Sequence, residues 1–378
     1  MTVTSPPIAA PALDLDAHRR TRRRLGARTA AALPLLAVVL LLPLHSDGFA
    51  NIAAYAAIFV MVGLSMNVLT GYTGQISLGH QAFVGLGALT TANLINTGTT
   101  AADPFLFGIG MVTAAAASGA AALLLGAVAL RIRGLYLALV TLVFGSVFAD
   151  AIFTLPSLNG QDAGVKAYRP TALSSEYRFY LFALAMVVVC YYVDVCVRRT
   201  KVGRGLIALR DNELVASAFG VNVLGYKLLG FTLSGAMAGL AGGVFAFWTQ
   251  QFSDKDFTAA AGFNLALTFV VMVVVGGLAN RGGVIIAAVF FALVSPISPM
   301  MGAIAQHTGW LNFYNDHKFY ISNVIGAVLL LQTVVLNPGG LGQVIRPFAR
   351  WFAGHPFTLH DPDGGDGVGA MEGSSVRA

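Results

Sequence analysis

Charged side chains are scarce in this chain. Of its 378 residues, 11% are charged and 56% are hydrophobic, and the mean hydropathy is +0.74. Charged residues make up about 25% of an ordinary soluble domain. So apolar a chain cannot cover its outer surface with polar groups, which excludes an ordinary soluble protein. The composition instead predicts a bundle of membrane helices joined by short polar connections.

The sequence also lacks the signatures of catalysis and of nucleotide binding. It contains neither an HExxH zinc motif nor a GxxxxGK phosphate loop followed by Ser or Thr. Its two cysteines, Cys190 and Cys196, fall in one apolar stretch without nearby His or Cys ligands, which predicts buried free thiols. We therefore expect no enzyme, no cofactor and no metal site. If ATP drives this protein, another chain must bind it.

Carboxylates are missing from the middle of every predicted span. Asp150 and Asp194 fall near the ends of apolar stretches. A transporter driven by protons or sodium usually needs an acidic side chain within the membrane. This absence disfavours ion coupling, although sodium sites built from backbone carbonyls remain an alternative.

Apolar stretches near the ~20 residues that cross a bilayer recur about ten times, and the first of them is short for a span. They are Ala32–Leu44, Ile52–Leu69, Gln75–Ile95, Phe105–Leu130, Leu135–Leu155, Phe179–Val197, Tyr226–Phe247, Phe263–Leu278, Val284–Pro299 and Phe319–Leu336. The predicted fold class is therefore an all-α polytopic membrane protein with about ten transmembrane helices.

The basic residues orient these spans. With a cytoplasmic N-terminus and alternating spans, the clusters at 19–28 and 198–210 lie inside the cell, as the positive-inside rule requires. The exceptions that lie outside are Lys166, Arg169, Arg178, Lys255 and Lys318. Both termini are then cytoplasmic. Because the positive charge is explained by topology, no nucleic-acid partner is expected.

The chain divides into a membrane domain and two tails. Residues 1–31 predict a disordered basic tail, 32–341 the transmembrane domain with a cytoplasmic loop at 198–225, and 342–378 a second, largely disordered cytoplasmic tail. The N-terminal segment resembles a signal peptide. No small-residue cleavage site follows it before Asn51, so we expect an uncleaved first helix.

The apolar run Leu69–Asn93 is interrupted by glycines and polar residues. The polar side chains are Tyr72, Gln75, Ser77, His80 and Gln81. Polar groups at bilayer depth are tolerated where protein buries them or where they line a water-filled cavity. Close helix packing explains the glycines, and a hydrogen-bonded structural role is the alternative for His80. The whole set favours a broken or re-entrant helix that lines a translocation pathway.

Small residues elsewhere predict helix packing alone. Gly235, Gly239 and Gly243 recur at four-residue spacing, and 114–122 is rich in alanine. Such spacing lets two helix backbones approach closely in a membrane. We assign these segments no contact with solute.

The loop sequence TKVGRGLIALRDNELVASAFGVNV at 200–223 predicts a short amphipathic helix. Asp211 or Asn212 is a suitable cap for a helix that begins at Glu213, and Gly220 suits its end. The apolar side chains at helical spacing are Leu214, Val215, Ala218 and Phe219. Such a stripe either lies on the membrane surface or docks in a groove of a partner protein.

With these features the chain resembles the permease subunits of branched-chain amino-acid importers of the ATP-binding-cassette class. It is most similar to the larger of the two related permeases that pair in such systems. The resemblance covers most of residues 52–341 and is carried by GYTGQISLGHQAFVGLGA at 71–88, RGLYLALVTLVFG at 133–145, GRGLIALRDNELVASAFGVNV at 203–223, VVGGLANRGGVIIAAVFF at 274–291 and LNPGGL at 336–341.

The resemblance implies that Asp211–Gly220 is a coupling helix, which inserts into a cleft of an ATP-hydrolysing subunit. Glu213, Ala216 and Gly220 match the Glu, Ala and Gly of the importer loop motif, whereas Leu214, Val215 and Ser217 depart from its fullest form. On physical grounds we expect Phe219 to anchor in the partner's pocket and Arg204 and Arg210 to orient the contact.

The same resemblance implies the partners and the solute. The partners are a second homologous permease subunit, two ATP-binding-cassette ATPase subunits, an extracytoplasmic solute-binding protein and membrane lipid. The implied location is the bacterial plasma (inner) membrane, crossed many times. The expected solutes are branched-chain amino acids or similar small polar molecules, with urea or short amides as the alternative. The competing function is an ion-coupled secondary transporter or channel that needs no ATPase.

Overall fold

The computed structural model describes residues 42–95, 104–132, 134–160, 164–252, 257 and 259–294, with isolated positions from 324 to 341. All of them belong to one unit, Leu40–Gln343. The predicted tails, nearly all of the first span and most of the tenth lie outside the described residues. So does the end of the ninth span, from residue 295.

Helices make up most of the described chain. In chain order they are α1 (Asp47–Met66), α2 (His80–Ile95), α3 (Pro104–Ala129), α4 (Leu135–Val147), α5 (Pro156–Asn159), α6 (Glu176–Arg199), α7 (Lys201–Asp211), α8 (Glu213–Ala218), α9 (Val223–Thr249), α10 (Ala259–Gly276) and α11 (Arg281–Val294). Short 3-10 turns occupy Leu42–Leu44 and Thr171–Leu173. Two-residue strands, β1 (Val165–Lys166) and β2 (Gln251–Phe252), pair antiparallel with Val165 opposite Phe252.

Two of these helices continue into π-helical turns. Asn67–Tyr72 extends α1, and Phe148–Ile152 extends α4. With those extensions, five of the described helices are long and apolar enough to cross a membrane: Asp47–Tyr72, Phe105–Ala129, Leu135–Ile152, Glu176–Arg199 and Val223–Thr249. The prediction of a polytopic all-α membrane protein is thereby confirmed. The total of about ten spans and the cytoplasmic termini stay predictions.

The helix α1 lies at the centre of the bundle. The most apolar window of Asp47–Tyr72 is 89% buried inside the protein, against 28% for those of α4 and α6. The side chains that α4 exposes are large and apolar, among them Leu135, Val143 and Val147. A hydrocarbon surface on an outer helix fits a lipid surrounding, whereas α1 is surrounded by other helices.

The helix α9 packs closely against α2 and α3 through its small residues. Gly239 adjoins the Ala114 carbonyl so tightly that a Cβ atom there would overlap the oxygen, and Gly235 lies equally tightly against Ala122. About one turn further along α9, Gly242 meets the backbone of Val84 in α2. The packing role predicted for the glycines of α9 and the alanines of α3 is confirmed.

A buried arginine closes the end of the bundle that carries the strands. The Arg169 guanidinium donates hydrogen bonds to the carbonyl oxygens of Phe247 (2.7 Å) and Trp248 (3.1 Å). It forms an ion pair with Glu176 at 2.8 Å and lies over the ring of Phe179 at 4.0 Å. These contacts fix the chain before α6 to the end of α9, at the end of the bundle opposite the 200–223 loop.

Candidate functional site

The helical path breaks between α1 and α2. After the π-helical turn Asn67–Tyr72 the backbone turns at Gly74, whose φ is +71°, and stays non-helical until His80. The predicted third span, Gln75–Ile95, therefore starts as irregular chain. π-Helical turns are rare and concentrate at functional sites, so the break is the first candidate for such a site.

The segment from Gly74 to Gln81, called the broken segment below, contains the non-helical chain and the first two residues of α2. It lies deep within the bundle. The Leu78 amide donates to Thr141 Oγ1 at 3.0 Å, and Thr141 is about 9 Å along α4 from its first residue, at 1.5 Å per residue. Gly79 touches the carbonyl of Thr141, where a Cβ atom would overlap the oxygen. Irregular backbone at this depth needs protein or a water-filled cavity around it.

His80 lies at the same level as the middle of α9. Its Nε2 is 2.5 Å from Ser65 Oγ, and Ser65 Oγ donates to the carbonyl of Ser234 at 3.0 Å. Ser234 lies near the middle of the 27-residue α9. Because the Ser65 hydroxyl uses its one proton on Ser234, His80 Nε2 carries the ring proton and Nδ1 is an acceptor.

Acceptor atoms without hydrogen-bond partners are concentrated on the broken segment. Within the described residues these include Gln75 Oε1, Ser77 Oγ, His80 Nδ1 and Gln81 Oε1, all on buried side chains. An unsatisfied buried polar group costs about 1–3 kcal/mol, and native structures contain few of them. Their concentration here favours a surface that contacts water or solute. The pathway assignment of these residues stays a prediction.

Tyr72, the remaining residue of the predicted pathway, joins a different cluster. Its hydroxyl donates to Asp194 Oδ2 at 3.1 Å, and Asn67 Nδ2 donates to Asp194 Oδ1 at 3.3 Å. Arg281 completes the cluster through an ion pair from Nε to Asp194 and a 3.2 Å hydrogen bond from Nη2 to its carbonyl. The cluster thus joins α1, α6 and α11.

Sequence reasoning did not find this cluster. The sequence marks Asp194 only as an acid near the end of a span, and nothing in it identifies Arg281 as its partner. The available signals were an acid within an apolar helix and an arginine in the ANRGG sequence. Of the acidic residues that the structure describes, Asp194 alone is fully buried, and it is already paired with Arg281.

The 200–223 loop contains the predicted short helix. Asn212, and not Asp211, caps α8: its Oδ1 accepts from the amides of Leu214 (3.0 Å) and Val215 (3.1 Å). Gly220 follows the helix with a φ of +80°. Three apolar side chains project from it, with exposed fractions of 74% for Leu214, 51% for Val215 and 85% for Phe219.

The residues predicted to contact an ATPase fall into two groups. Arg204, Phe219 and Gly220 are exposed. The others hold the loop on the bundle, since Glu213 pairs with Lys227 of α9, Ala216 is buried, and Arg210 Nη1 donates to the carbonyl of Gly71 at 2.8 Å. Gly71 belongs to the π-helical turn, so Arg210 connects the loop directly to the broken helix.

Comparison with known proteins identifies a family and several relatives. The family model described as "Branched-chain amino acid transport system / permease component" matches residues 48–333. The chain is 30% identical over 335 residues to the high-affinity branched-chain amino acid transport system permease protein LivM of Salmonella typhimurium, covering 80% of this chain and 72% of that protein. The LivM protein of Escherichia coli is 29% identical over the same coverage.

A more distant relative carries the other permease name. The probable branched-chain amino acid transport permease protein LivH of Methanocaldococcus jannaschii is 22% identical over 304 residues, covering 76% of this chain and 88% of that protein. No solved structure matches the chain significantly. The similarity therefore rests on sequence, and the family match at 48–333 includes both the helix break and the 200–223 loop.

Proposed function

Because the chain belongs to the permease family of branched-chain amino acid transport systems, we propose that it is the membrane-spanning subunit of an ATP-binding-cassette importer. It provides a path for branched-chain amino acids or similar small solutes across the bacterial plasma membrane and performs no chemistry. A second homologous permease completes the membrane part. Two ATPase subunits supply the energy, and an extracytoplasmic binding protein delivers the solute.

The observation that carries this proposal is the connection between α8 and the broken helix. α8 presents Leu214 and Phe219 to its surroundings, while Arg210, just before its cap, is bonded to Gly71 at the end of α1. A partner that seats on α8 and moves during nucleotide hydrolysis displaces Arg210 with it. The displacement is then transmitted through Gly71 to the backbone just before the buried acceptor atoms that have no hydrogen-bond partners.

A protein partner explains the exposed side chains of α8 better than the membrane surface does. α8 is six residues long, and membrane-surface helices bind in proportion to the apolar area that they bury. Its Glu213 is held by Lys227, so the helix has a fixed orientation. A short, fixed helix with an exposed aromatic side chain suits insertion into a preformed groove.

The buried ion pair disfavours the competing ion-coupled transporter. A coupling carboxylate must bind and release a cation during each cycle. Asp194, the one fully buried carboxylate among the described residues, has Arg281, Tyr72 and Asn67 as partners. A charge so completely satisfied within the protein is poorly suited to that task.

Reconstitution tests the proposal. We expect leucine uptake into liposomes when this chain is assembled with its second permease, ATPases and binding protein, and when ATP is supplied. A non-hydrolysable ATP analogue serves as the control and should abolish uptake. Transport of leucine by this chain alone, driven by a proton or sodium gradient, would contradict the proposal.

Substitutions in the broken segment test the pathway assignment. For Gln75→Ala and His80→Ala we expect about tenfold slower uptake by an intact assembly, which corresponds to roughly 1.4 kcal/mol, because polar contacts to the solute or its water are lost. Thr90→Ala is the matched control, since the Thr90 hydroxyl donates to carbonyls of its own helix. Unchanged uptake in both test variants would return this segment to a packing role.

A further inference from the structure

A second feature of the interior is an apolar pocket between α1, α2, α9 and α10. Its walls include Phe59, Val62, Val84, Phe245, Phe257 and Phe269. All six side chains are buried, so the pocket belongs to the inside of the bundle and not to its lipid-facing surface. No polar atom of the described residues lines it. The pocket is narrow, so a solute can enter it only when the aromatic side chains that line it rotate away.

The pocket adjoins the polar atoms of the broken helix. Val62 precedes Ser65 by three residues on α1, and Val84 follows His80 by four on α2. Residues three or four apart share a helix face, and Ser65 and His80 are themselves in contact at 2.5 Å. The two valines therefore lie about one helical turn, or roughly 5 Å, from that pair, away from the 200–223 loop.

This arrangement suits a solute with a polar head and a branched aliphatic tail. His80 Nδ1 and Gln81 Oε1 are buried acceptors without partners among the described residues, which suits the donors of an ammonium group. The pocket offers only apolar contact, worth about 0.8 kcal/mol for each buried CH₂. An amide placed there loses its hydrogen bonds with water and gains none, at a cost of about 1–3 kcal/mol on mutational scales.

We propose that this pocket receives the branched aliphatic side chain of the transported amino acid, with its polar head at His80 and Gln81. The inference rests on the proposed function and deepens it: the permease itself selects isobutyl, sec-butyl and isopropyl groups and disfavours urea and short amides. The pocket is then a specificity-determining subsite on the path, in addition to any selection by the binding protein.

Photolabelling of the complete transporter tests the subsite. The probe is a leucine analogue that carries a diazirine on its side chain, added to the assembly in lipid nanodiscs, illuminated and mapped by mass spectrometry. We expect labels on the α1, α2 and α10 peptides that contain Phe59, Val84 and Phe269. Excess leucine should reduce this labelling about tenfold, whereas excess urea should leave it unchanged.

A pair of variants separates specificity from stability. Val84→Thr places a hydroxyl in the pocket at similar volume, and we expect about a five- to tenfold lower ratio of leucine to alanine uptake, as expected for about 1–1.4 kcal/mol. Phe269→Leu widens the pocket and should lower the same ratio less. Phe291→Leu is the control, because Phe291 is buried in α11 outside the pocket lining and should leave the ratio unchanged.

The outcomes of these experiments distinguish a failure of the subsite from a failure of the proposed function on which it rests. Labels elsewhere in a transporter that still pumps leucine overturn the subsite and leave the proposed function standing. The same conclusion follows if a diazirine on a lipid acyl chain labels these residues and leucine does not compete. If the complete assembly carries no leucine at all, both proposals are overturned.

Discussion

Replacing Phe219 by aspartate is expected to abolish ATP-driven uptake while the permease still inserts in the membrane. Phe219 is 85% exposed and follows the capped helix α8, so the change removes no internal packing. If the ring fills an apolar pocket of the ATPase, a carboxylate there must be desolvated without a partner. Anchors of this kind contribute about 2–4 kcal/mol to binding, so the loss of the anchor weakens association roughly 30-fold or more.

The measurement is copurification of the ATPase with the tagged permease, together with uptake in proteoliposomes. Phe219→Leu keeps an apolar side chain and should retain most of both. Ser217→Asp places the same charge on the same helix, at an exposed residue whose hydroxyl bonds to the Leu214 carbonyl, and should be tolerated. Normal uptake by Phe219→Asp would remove α8 from the contact with the ATPase.

Arg281→Gln is expected to cause the largest loss of stability among single changes in the Asp194 cluster. The change leaves a fully buried carboxylate with only Asn67 and Tyr72 as donors, and breaking a buried pair in this way costs about 3–5 kcal/mol. Asp194→Asn should cost less. The Arg281 side chain is 18% exposed, against 0% for Asp194, so the arginine left alone can still reach water.

Thermal unfolding of the purified permease in detergent measures this order. The double variant Asp194→Asn with Arg281→Gln removes both charges and should recover much of the stability lost in Arg281→Gln alone, because the two groups interact directly. Arg198→Gln, at the exposed end of α6, is the control and should change little. Equal melting temperatures for Arg281→Gln and Arg198→Gln would show that the ion pair does not stabilise the fold.

The parts of this structure that sequence predicted are those encoded locally. An apolar run of the right length predicts a span. The helix break could be predicted because Gln75 and His80 interrupt such a run. The cap of α8 could be narrowed to Asp211 or Asn212, because a capping residue and the helix it caps are neighbours in sequence. Each of these signals is contained within a few turns of chain.

The features that could not be predicted from the sequence depend on residues far apart in the chain or on whether a helix is surrounded by lipid or by protein. Asp194 and Arg281 are 87 residues apart, and neither position alone reveals the other. Which apolar helix is central was equally hidden, because lipid and protein interior favour the same side chains. For that reason Val62 and Val84, which line the pocket, cannot be told in sequence from the exposed Val143.

The two serines that pair beside His80 have a mechanical consequence. Ser65 and Ser234 exchange hydrogen bonds, each hydroxyl donating to the other's carbonyl, at 3.0 and 2.8 Å. Sliding of α1 past α9 would break both hydrogen bonds together. If the permease changes conformation during transport, we expect α1 and α9 to move together and not to slide past one another.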